Sequence, residues 1–474
     1  MKDMSQMQVA LRTSFALLSL GIAASASAAT LSVGPGKTYA RPCQAIAVAK
    51  TGDIIEITGN TTYSGDVCGI YASNLTIRGV NGRPKIDAAG KNAMGKGIWV
   101  VAGNNVVVEN VEMFGAKVPD QNGAALRLEG TNFTLRSSFL HSNENGILTN
   151  ANPNSHIVIE KSEFGYNGYG TGYTHNLYIG NVASLTFRYN YSHDARVGHN
   201  LKSRARVNTI VYNRFSSLNA GQTGSTPAGK PSYEIDLPNA GTSYIIGNVI
   251  QQPSVHSNPN LIGYGLEGAS NPGHDLYIVN NTFLNDDSSR GNFVAVGSGV
   301  TKKILLQNNI FAGTGTLTTQ SGAIEKTNYR AAAPGFVNRA AYDLRPTANA
   351  LVIDAGSAPG TSAAGVSLVP TAQYKHSAMS ETRAVSGRLD IGAYEAAAAT
   401  TTETSNPPDT NVTWTDCAPQ YGICVVPGTR EVRYGAAGSY ATKIVTGSVL
   451  CTDAVFGNPK FGYVKSCSYS SIAR

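Results

Sequence analysis

The sequence predicts an all-β protein: a right-handed parallel β-helix with an N-terminal helical cap, followed by a small disulfide-stapled β domain. Three observations predict it. Apolar, alternating runs that end in a small or amide residue recur from about residue 70 to 311, as in NLTIRGV (74–80), NVVVENV (105–111), LTFRYNY (185–191), YIIGNVI (244–250) and ILLQNNIF (304–311). Taking Asn190, Asn213, Asn248, Asn281 and Asn309 as equivalent gives steps of 23, 35, 33 and 28 residues. Such steps are too short for strand–helix units with full-length helices and right for coils of short strands and turns. The six cysteines fall into two separated groups, positions 43 and 68 and positions 417, 424, 451 and 467, which suits disulfides in an oxidising compartment.

The elements follow in chain order. Lys2 and Arg12, the apolar run FALLSLGIAASASA and the triplet Ala26-Ser27-Ala28 have the pattern of a secretory signal peptide over residues 1–28. No later run is long enough to span a membrane, so a secreted or periplasmic chain without stable membrane insertion is expected. Residues 29–395 form the predicted β-helix. Its first part holds one plausible short helix, Pro42 to Lys50, and the open end of a solenoid needs such a lid over its exposed core side chains and unpaired backbone groups. Asparagine at the same corner of successive coils would form an internal amide ladder, each side chain bonding to its neighbour's backbone. A β-propeller would instead need blades of about 40 residues in a regular antiparallel pattern. After residue 311 the repeats become irregular, with IDAGSAPG (353–360) and DIGAYE (390–395) following. Residues 396–412 read as a linker with almost nothing to bury, and residues 413–474 as the second domain, stapled by the last four cysteines.

Composition narrows the function classes. With 42% hydrophobic and only 14% charged residues the chain is too apolar to be disordered. A net charge of +7 favours an acidic partner. No recognised nucleic-acid motif is present, and the basic residues of the main domain stand beside acids instead of forming an unbroken track. An acidic polysaccharide is therefore the expected partner, nucleic acid is not, and a monomer is expected.

The candidate site lies in three segments, HNLYIG (175–180), HNLKSR (199–204) and YEIDLP (233–238). Strand alternation puts Leu177, Ile179, Leu201, Ile235 and Leu237 on a core face, and Asn176, Tyr178, Asn200, Lys202, Arg204, Glu234 and Asp236 on the other. In a parallel β-helix equivalent residues on consecutive coils are about 4.8 Å apart. Aligning the segments by their inward residues stacks Tyr178, Lys202 and Asp236 in one column and Asn176, Asn200 and Glu234 in the next, with Arg204 one step further. The next coil, LIGYGLEG (261–268), would add Tyr264 and Glu267. His175 and His199 open two of the strands, 24 residues apart, with His193 in the turn between them. Outward charges on a sheet are usually cross-strand pairs worth roughly a few tenths of a kcal/mol. Elsewhere, however, the outer face reads as Thr, Ser, Asn and Gly, whereas this patch gathers acids, bases and cations.

That mixture constrains the chemistry. Glu234 and Asp236 alone meet the carboxyl spacing of a glycoside hydrolase, about 5 to 9 Å, but this leaves Lys202, Arg204 and the histidines without a role. Breaking a uronic-acid polymer by β-elimination needs all of them: a group to neutralise the C5 carboxylate, a base for the C5 proton and an acid for the departing O4. Lys202 is the expected base and Arg204 the carboxylate clamp, with Tyr178 or His199 as proton donor and His175 and His193 as further acid–base candidates. Asn176, Asn200, Glu234, Asp236, Tyr264 and Glu267 would bind substrate. Asn200, Glu234 and Asp236 are also oxygen donors that could hold Ca²⁺. Without an ion, the carboxylates would pair with Lys202 and Arg204 and keep the lysine protonated, making His199 the better base.

The coils, the helical lid and the IDAG and DIGAYE endings resemble the secreted right-handed β-helix proteins that include pectate lyases, alginate and chondroitin lyases, and mannuronan C5-epimerases, over roughly residues 30 to 395. The resemblance implies a polysaccharide lyase. In the alginate and chondroitin lyases a lysine is the base, an arginine assists it, and Asn and Glu side chains hold calcium; by residue type Lys202, Arg204, Asn200 and Glu234 would fill those roles. The DPHD motif of the epimerases is absent, HDAR (193–196) matching it only in part, so elimination is favoured over epimerisation. The NxD, DD and GHG pattern of polygalacturonases is missing too, and Asp286-Asp287 stands in a later turn. A non-catalytic polysaccharide-binding β-helix, such as a tailspike or adhesin, would need no basic residue beside carboxylates. The terminal module resembles small cysteine-containing β-domains of secreted carbohydrate-active proteins; Trp414, Tyr434, Tyr440 and Tyr463 would either stack on sugar rings or form its core.

Overall fold

The computed structural model describes residues 28–396, apart from 171 and 218–229, and residues 412–473, apart from 458, 461 and 462. The signal peptide and the linker expected from the sequence lie outside the described residues except at their edges. The chain divides into two compact units, up to residue 398 and from 399 onward.

In the first unit the short β-branched and aromatic runs are strands, and each full coil gives one strand to each of three parallel sheets. Among the described residues these sheets have 12, 11 and 10 strands, named here first, second and third in the order the chain visits them. One coil is Val182–Arg188, Tyr191–His193 and Leu201–Ser203. Leu177, Ile179, Leu201, Ile235 and Leu237 all point inward and are fully buried, as alternation requires. Between coils the core is filled by stacked aromatic rings such as Phe187 on Phe215 and Phe283 on Phe311. Each such side chain removed from water contributes about 2–3 kcal/mol.

The corner from first to second sheet is built twice over. Its leading residue is left-handed, as at Tyr189, Tyr212, Asn280 and Asn308, and the next residue is the ladder asparagine. The backbone N–H of each ladder residue donates to the side-chain oxygen of the next: Asn190 to Asn213 (2.8 Å), then Asn248, Asn281 and Asn309 (2.9 Å each). Ser138 and Ser162 extend the ladder upstream and Asn328 downstream. The ladder satisfies amides that a tight, fully buried turn leaves without strand partners.

The helix spans Pro42–Val48, puts Ala45 and Ile46 into the core, and is tied to the strand Cys68–Ile70 by the Cys43–Cys68 disulfide. At the other end the solenoid does not become irregular at 311: a further coil follows in Thr316–Thr318, Ile324–Lys326 and Tyr329–Ala331. A last coil has no neighbour to bury against, so its strands lack the apolar alternation; Ile324–Lys326 is exposed throughout. The IDAG and DIGAYE text belongs to a strap along the outside of the solenoid. Its Leu344, Val352, Ile391 and Ala393 pack on Val249, Leu284 and Ile310, its Leu368 packs on Val211, Tyr244 and Val279, and Asn280 donates to the Asp390 carbonyl at 2.8 Å. Among the described residues no helix is long and apolar enough to cross a membrane.

The second unit is a four-stranded antiparallel sheet, Trp414–Pro419, Ile423–Ala436, Ser439–Leu450 and Ser466–Ala473, stapled by Cys417–Cys424 and Cys451–Cys467. Tyr434 is buried in its core, which removes it from the sugar-stacking set. The Arg433 guanidinium lies 4.4 Å from both the Trp414 and the Tyr440 rings.

Candidate active site

Three strands of the third sheet, Leu177–Ile179, Leu201–Ser203 and Ile235–Leu237, bring the expected column together: Tyr178 pairs with Lys202 and Lys202 with Asp236. Gly263 is next in the column, and a Cβ there would stand only 3.0 Å from the Asp236 carboxylate. Lys202 Nζ is 3.1 Å from Asp236 Oδ2 and 2.7 Å from Glu267 Oε1. Arg204, just past the strand end, donates from Nε to the Tyr178 hydroxyl at 2.8 Å, from Nη1 to Asn239 and from Nη2 to Glu267. Both cations lie within 6 Å of the Tyr178 ring centroid. The column is thus a tyrosine flanked by two cations that converge on one exposed carboxylate.

The electrostatics follow from burial and partners. For Lys202, burial works against the charge, but Asp236 and Glu267 outweigh it and raise the ammonium above its ordinary value. Burial lifts Asp236 to about 6, against the pull of Lys202. Glu267 is held below the usual carboxylate range, because Lys202 and Arg204 overcome its partial burial. His175 and His199 stack with ring centroids 4.5 Å apart. Burial pushes His175 down to about 3 and His199 well below its ordinary value, with Lys202 adding to both. Their Nδ1 atoms accept backbone N–H bonds, His175 from His199 at 3.0 Å and His199 from Tyr233 at 3.2 Å. Neutral rings held this way carry their proton on Nε2, and His199 Nε2 faces Asp236 at 3.5 Å. Neither ring offers a free lone pair, so His199 serves better as a buttress for Asp236 than as a base.

Four placements differ from the sequence expectation. Asn176, Asn200 and Glu234 are fully buried and do not lie on the outer face. They occupy the corner before their strands, where the chain turns and alternation breaks, and they form a second ladder: Asn176 Nδ2 donates to Asn200 Oδ1 at 2.8 Å, and Asn200 Nδ2 donates to Glu234. Burial raises the Glu234 carboxyl to about 8, so the ladder ends in a neutral acid. Tyr264 points inward and donates to the Gly241 carbonyl at 2.8 Å. His193 belongs to a different sheet, in Tyr191–His193, where its ring lies 2.7 Å from Asp194 and 3.2 Å from Glu163. The Thr, Ser, Asn and Gly expected over the rest of the outer face give way on the first sheet to a charged column, Glu56, Arg78, Glu109, Arg136, Glu160 and Arg188.

These placements bear on calcium. Asn200 and Glu234 face the interior while Asp236 faces out against Lys202, so the three do not form one ligand set. Among the described residues no cluster of three or more His, Cys, Asp or Glu is arranged to hold a metal ion. Asn239, which orients Arg204, escaped the sequence reading because PNAG (238–241) reads only as a turn.

No family model matches the chain. The structure is similar to the crystal structure of pectate lyase Pel9A, with a TM-score of 0.50 and 17% identity over 78% of this chain and 96% of the other. Weaker likenesses are to ORF18 of Geobacillus virus E2, with a TM-score of 0.35 and 14% identity over 59% and 52% of the two chains, and to the Dettilon tailspike protein gp208, with 0.21 and 11% over 60% and 63%. The first unit therefore has the right-handed parallel β-helix fold of that pectate lyase.

Proposed function

We propose that the protein is a polysaccharide lyase that cleaves a uronic-acid-containing polymer by β-elimination at the Tyr178–Lys202–Arg204 cluster. The observation that carries this reading is the pair of fixed cations beside one phenol on the outward side of consecutive coils. A surface built from repeating coils suits a chain-like substrate, and two like charges side by side call for an anion. The fold shared with a protein named as a pectate lyase supports the same class.

In this reading Arg204 clamps the C5 carboxylate of the substrate and so makes the neighbouring proton acidic enough to remove. Lys202 in its neutral form takes the C5 proton, the C4–C5 double bond forms, the C4–O4 bond breaks, and the Tyr178 hydroxyl gives its proton to O4. A proton then passes from Lys202 back to Tyr178 through solvent. Asp236 holds Lys202 in place, with the neutral histidine pair behind it. Two carboxylates keep Lys202 protonated in the free site, so the elimination rate rises with pH.

The test is to incubate the purified protein with alginates, pectates, glucuronans, glycosaminoglycans and bacterial exopolysaccharides, with and without EDTA, and follow the ultraviolet absorbance of the conjugated 4,5-double bond together with reducing ends. A rise in both supports elimination, and its loss with EDTA would add a metal to the account. New reducing ends without the double bond would make the protein a hydrolase. Polymer binding with neither would leave an epimerase or a binding protein, which proton exchange at C5 separates.

A further inference from the structure

The most exposed member of the cluster is Glu267. Its carboxylate bridges the two cations, 2.7 Å from Lys202 Nζ and bonded by Arg204 Nη2, with its side chain 47% exposed against 10% and 24% for theirs. It comes from the turn GLEG (265–268), where Gly265 and Gly268 have φ of +70° and +113°. A Cβ on Gly265 would press to 2.6 Å from Val300, so this tight turn fixes where the glutamate starts. The backbone of Glu267 is anchored by its own N–H to the Pro238 carbonyl at 3.0 Å, so its carboxylate can leave by side-chain rotation alone. Each cation keeps another partner when it does: Lys202 keeps Asp236, and Arg204 keeps Tyr178 and Asn239.

Resting on the lyase reading above, we propose that Glu267 is a resident stand-in for the substrate carboxylate. It fills the anion seat of the free enzyme, and an arriving uronate displaces it from Arg204. Its departure also takes one of two carboxylates off Lys202, so the base is released only when a carboxylate-bearing sugar is clamped beside it. A neutral sugar cannot exchange with Glu267 and leaves the site closed. Glu267 is in this account a specificity-determining residue and not a proton-transfer group.

The experiment is calorimetric titration of the full chain with trimers of galacturonate, glucuronate, mannuronate and guluronate, and with the same trimers carboxyl-reduced to neutral sugars. Wild type is compared with Glu267→Gln and with the control Glu129→Gln. Glu129 pairs with Lys96 next to the strand Ala124–Leu128, two coils before Tyr178; its replacement removes one negative charge without touching the cluster. The expected result is that Glu267→Gln binds an acidic trimer about fivefold or more tighter than wild type, while neutral trimers and Glu129→Gln show no gain. The rising limb of kcat/KM against pH should also move to lower pH in Glu267→Gln, since that limb reports the free enzyme. Equal or weaker binding of the acidic trimer by Glu267→Gln than by wild type overturns this inference and leaves the lyase reading standing. An equal gain in Glu129→Gln also overturns it, by showing only long-range charge. Failure of every acidic trimer to bind either wild type or Glu267→Gln overturns both.

Discussion

On the first sheet Glu56, Arg78, Glu109, Arg136, Glu160 and Arg188 occupy one register position in six successive coils; on the third, Tyr178, Lys202 and Asp236 do so in three. The first column alternates in sign at every step. Arg136 bonds Glu109 at 2.9 Å and Glu160 at 2.6 Å, and Arg188 bonds Glu160 from the other side at 2.7 Å. Its arginines are more than 40% exposed, the charges cancel along the column, and nothing further is asked of a ligand. At the third sheet Lys202 and Arg204 are like charges two residues apart, one on the strand Leu201–Ser203 and the other just past its end, and the lysine is nearly buried. Both lean on a glutamate that arrives from another coil. Alternation at coil spacing neutralises itself, whereas like charges held side by side depend on carboxylates from later coils, here Asp236 and Glu267.

The contrast can be broken or sharpened by substitution. The largest expected effect is on rate: Lys202→Ala should lower kcat/KM for elimination by about 10²–10⁴-fold, measured as double-bond formation on the best polymer of the panel. Next come the buried ladders, which should matter for stability and not for chemistry. Asn248→Ala leaves the Asn213 N–H without its acceptor and removes the side-chain Nδ2 bond to Asn281, while the backbone N–H at 248 keeps its own bond to Asn281. It should cost about 1–3 kcal/mol for each buried group left unpaired, seen as a lower denaturation midpoint with the rate per folded molecule unchanged.

The second ladder predicts a pH effect. Glu234 is raised in the fold from 4.5 to about 8, so between those values the folded chain holds a proton that the unfolded chain has released. Stability should therefore fall as pH rises through that window, by up to about 1.4 kcal/mol per pH unit. Glu234→Gln keeps an acceptor for Asn200 without the charge, and should match wild type near the lower end and melt above it near the upper end. The smallest effect is expected at Arg136→Ala, whose half-exposed pairs are worth about 1 kcal/mol or less, with elimination unaffected.

Much of this was legible in the chain. The recurrent asparagines state the coil and its corner, because a buried amide at a fixed position finds its partners in the neighbouring coils, the next asparagine on one side and a backbone carbonyl on the other. The Tyr178, Lys202 and Asp236 column was legible because the flanking Leu and Ile residues fix the phase of each strand. Asn176, Asn200 and Glu234 were misplaced by the same rule, extended one residue beyond the strand into a corner where two successive side chains face inward. The charged column of the first sheet was hidden because its members are 22 to 31 residues apart and join different runs. Glu267 was found as a neighbour, but its bridge to both cations depends on a turn whose path no local pattern specifies.

The measurement that tests the central claim most directly is the elimination rate of Arg204→Ala beside that of Arg136→Ala, on the polymer that wild type cleaves fastest. Each variant removes one partly exposed arginine, Arg204 from beside the third-sheet column and Arg136 from within the first-sheet column. The account predicts that Arg204→Ala loses elimination and Arg136→Ala keeps the wild-type rate. Equal rates in the two variants would contradict it, because the paired cations of the third sheet would then be no more than another surface ladder.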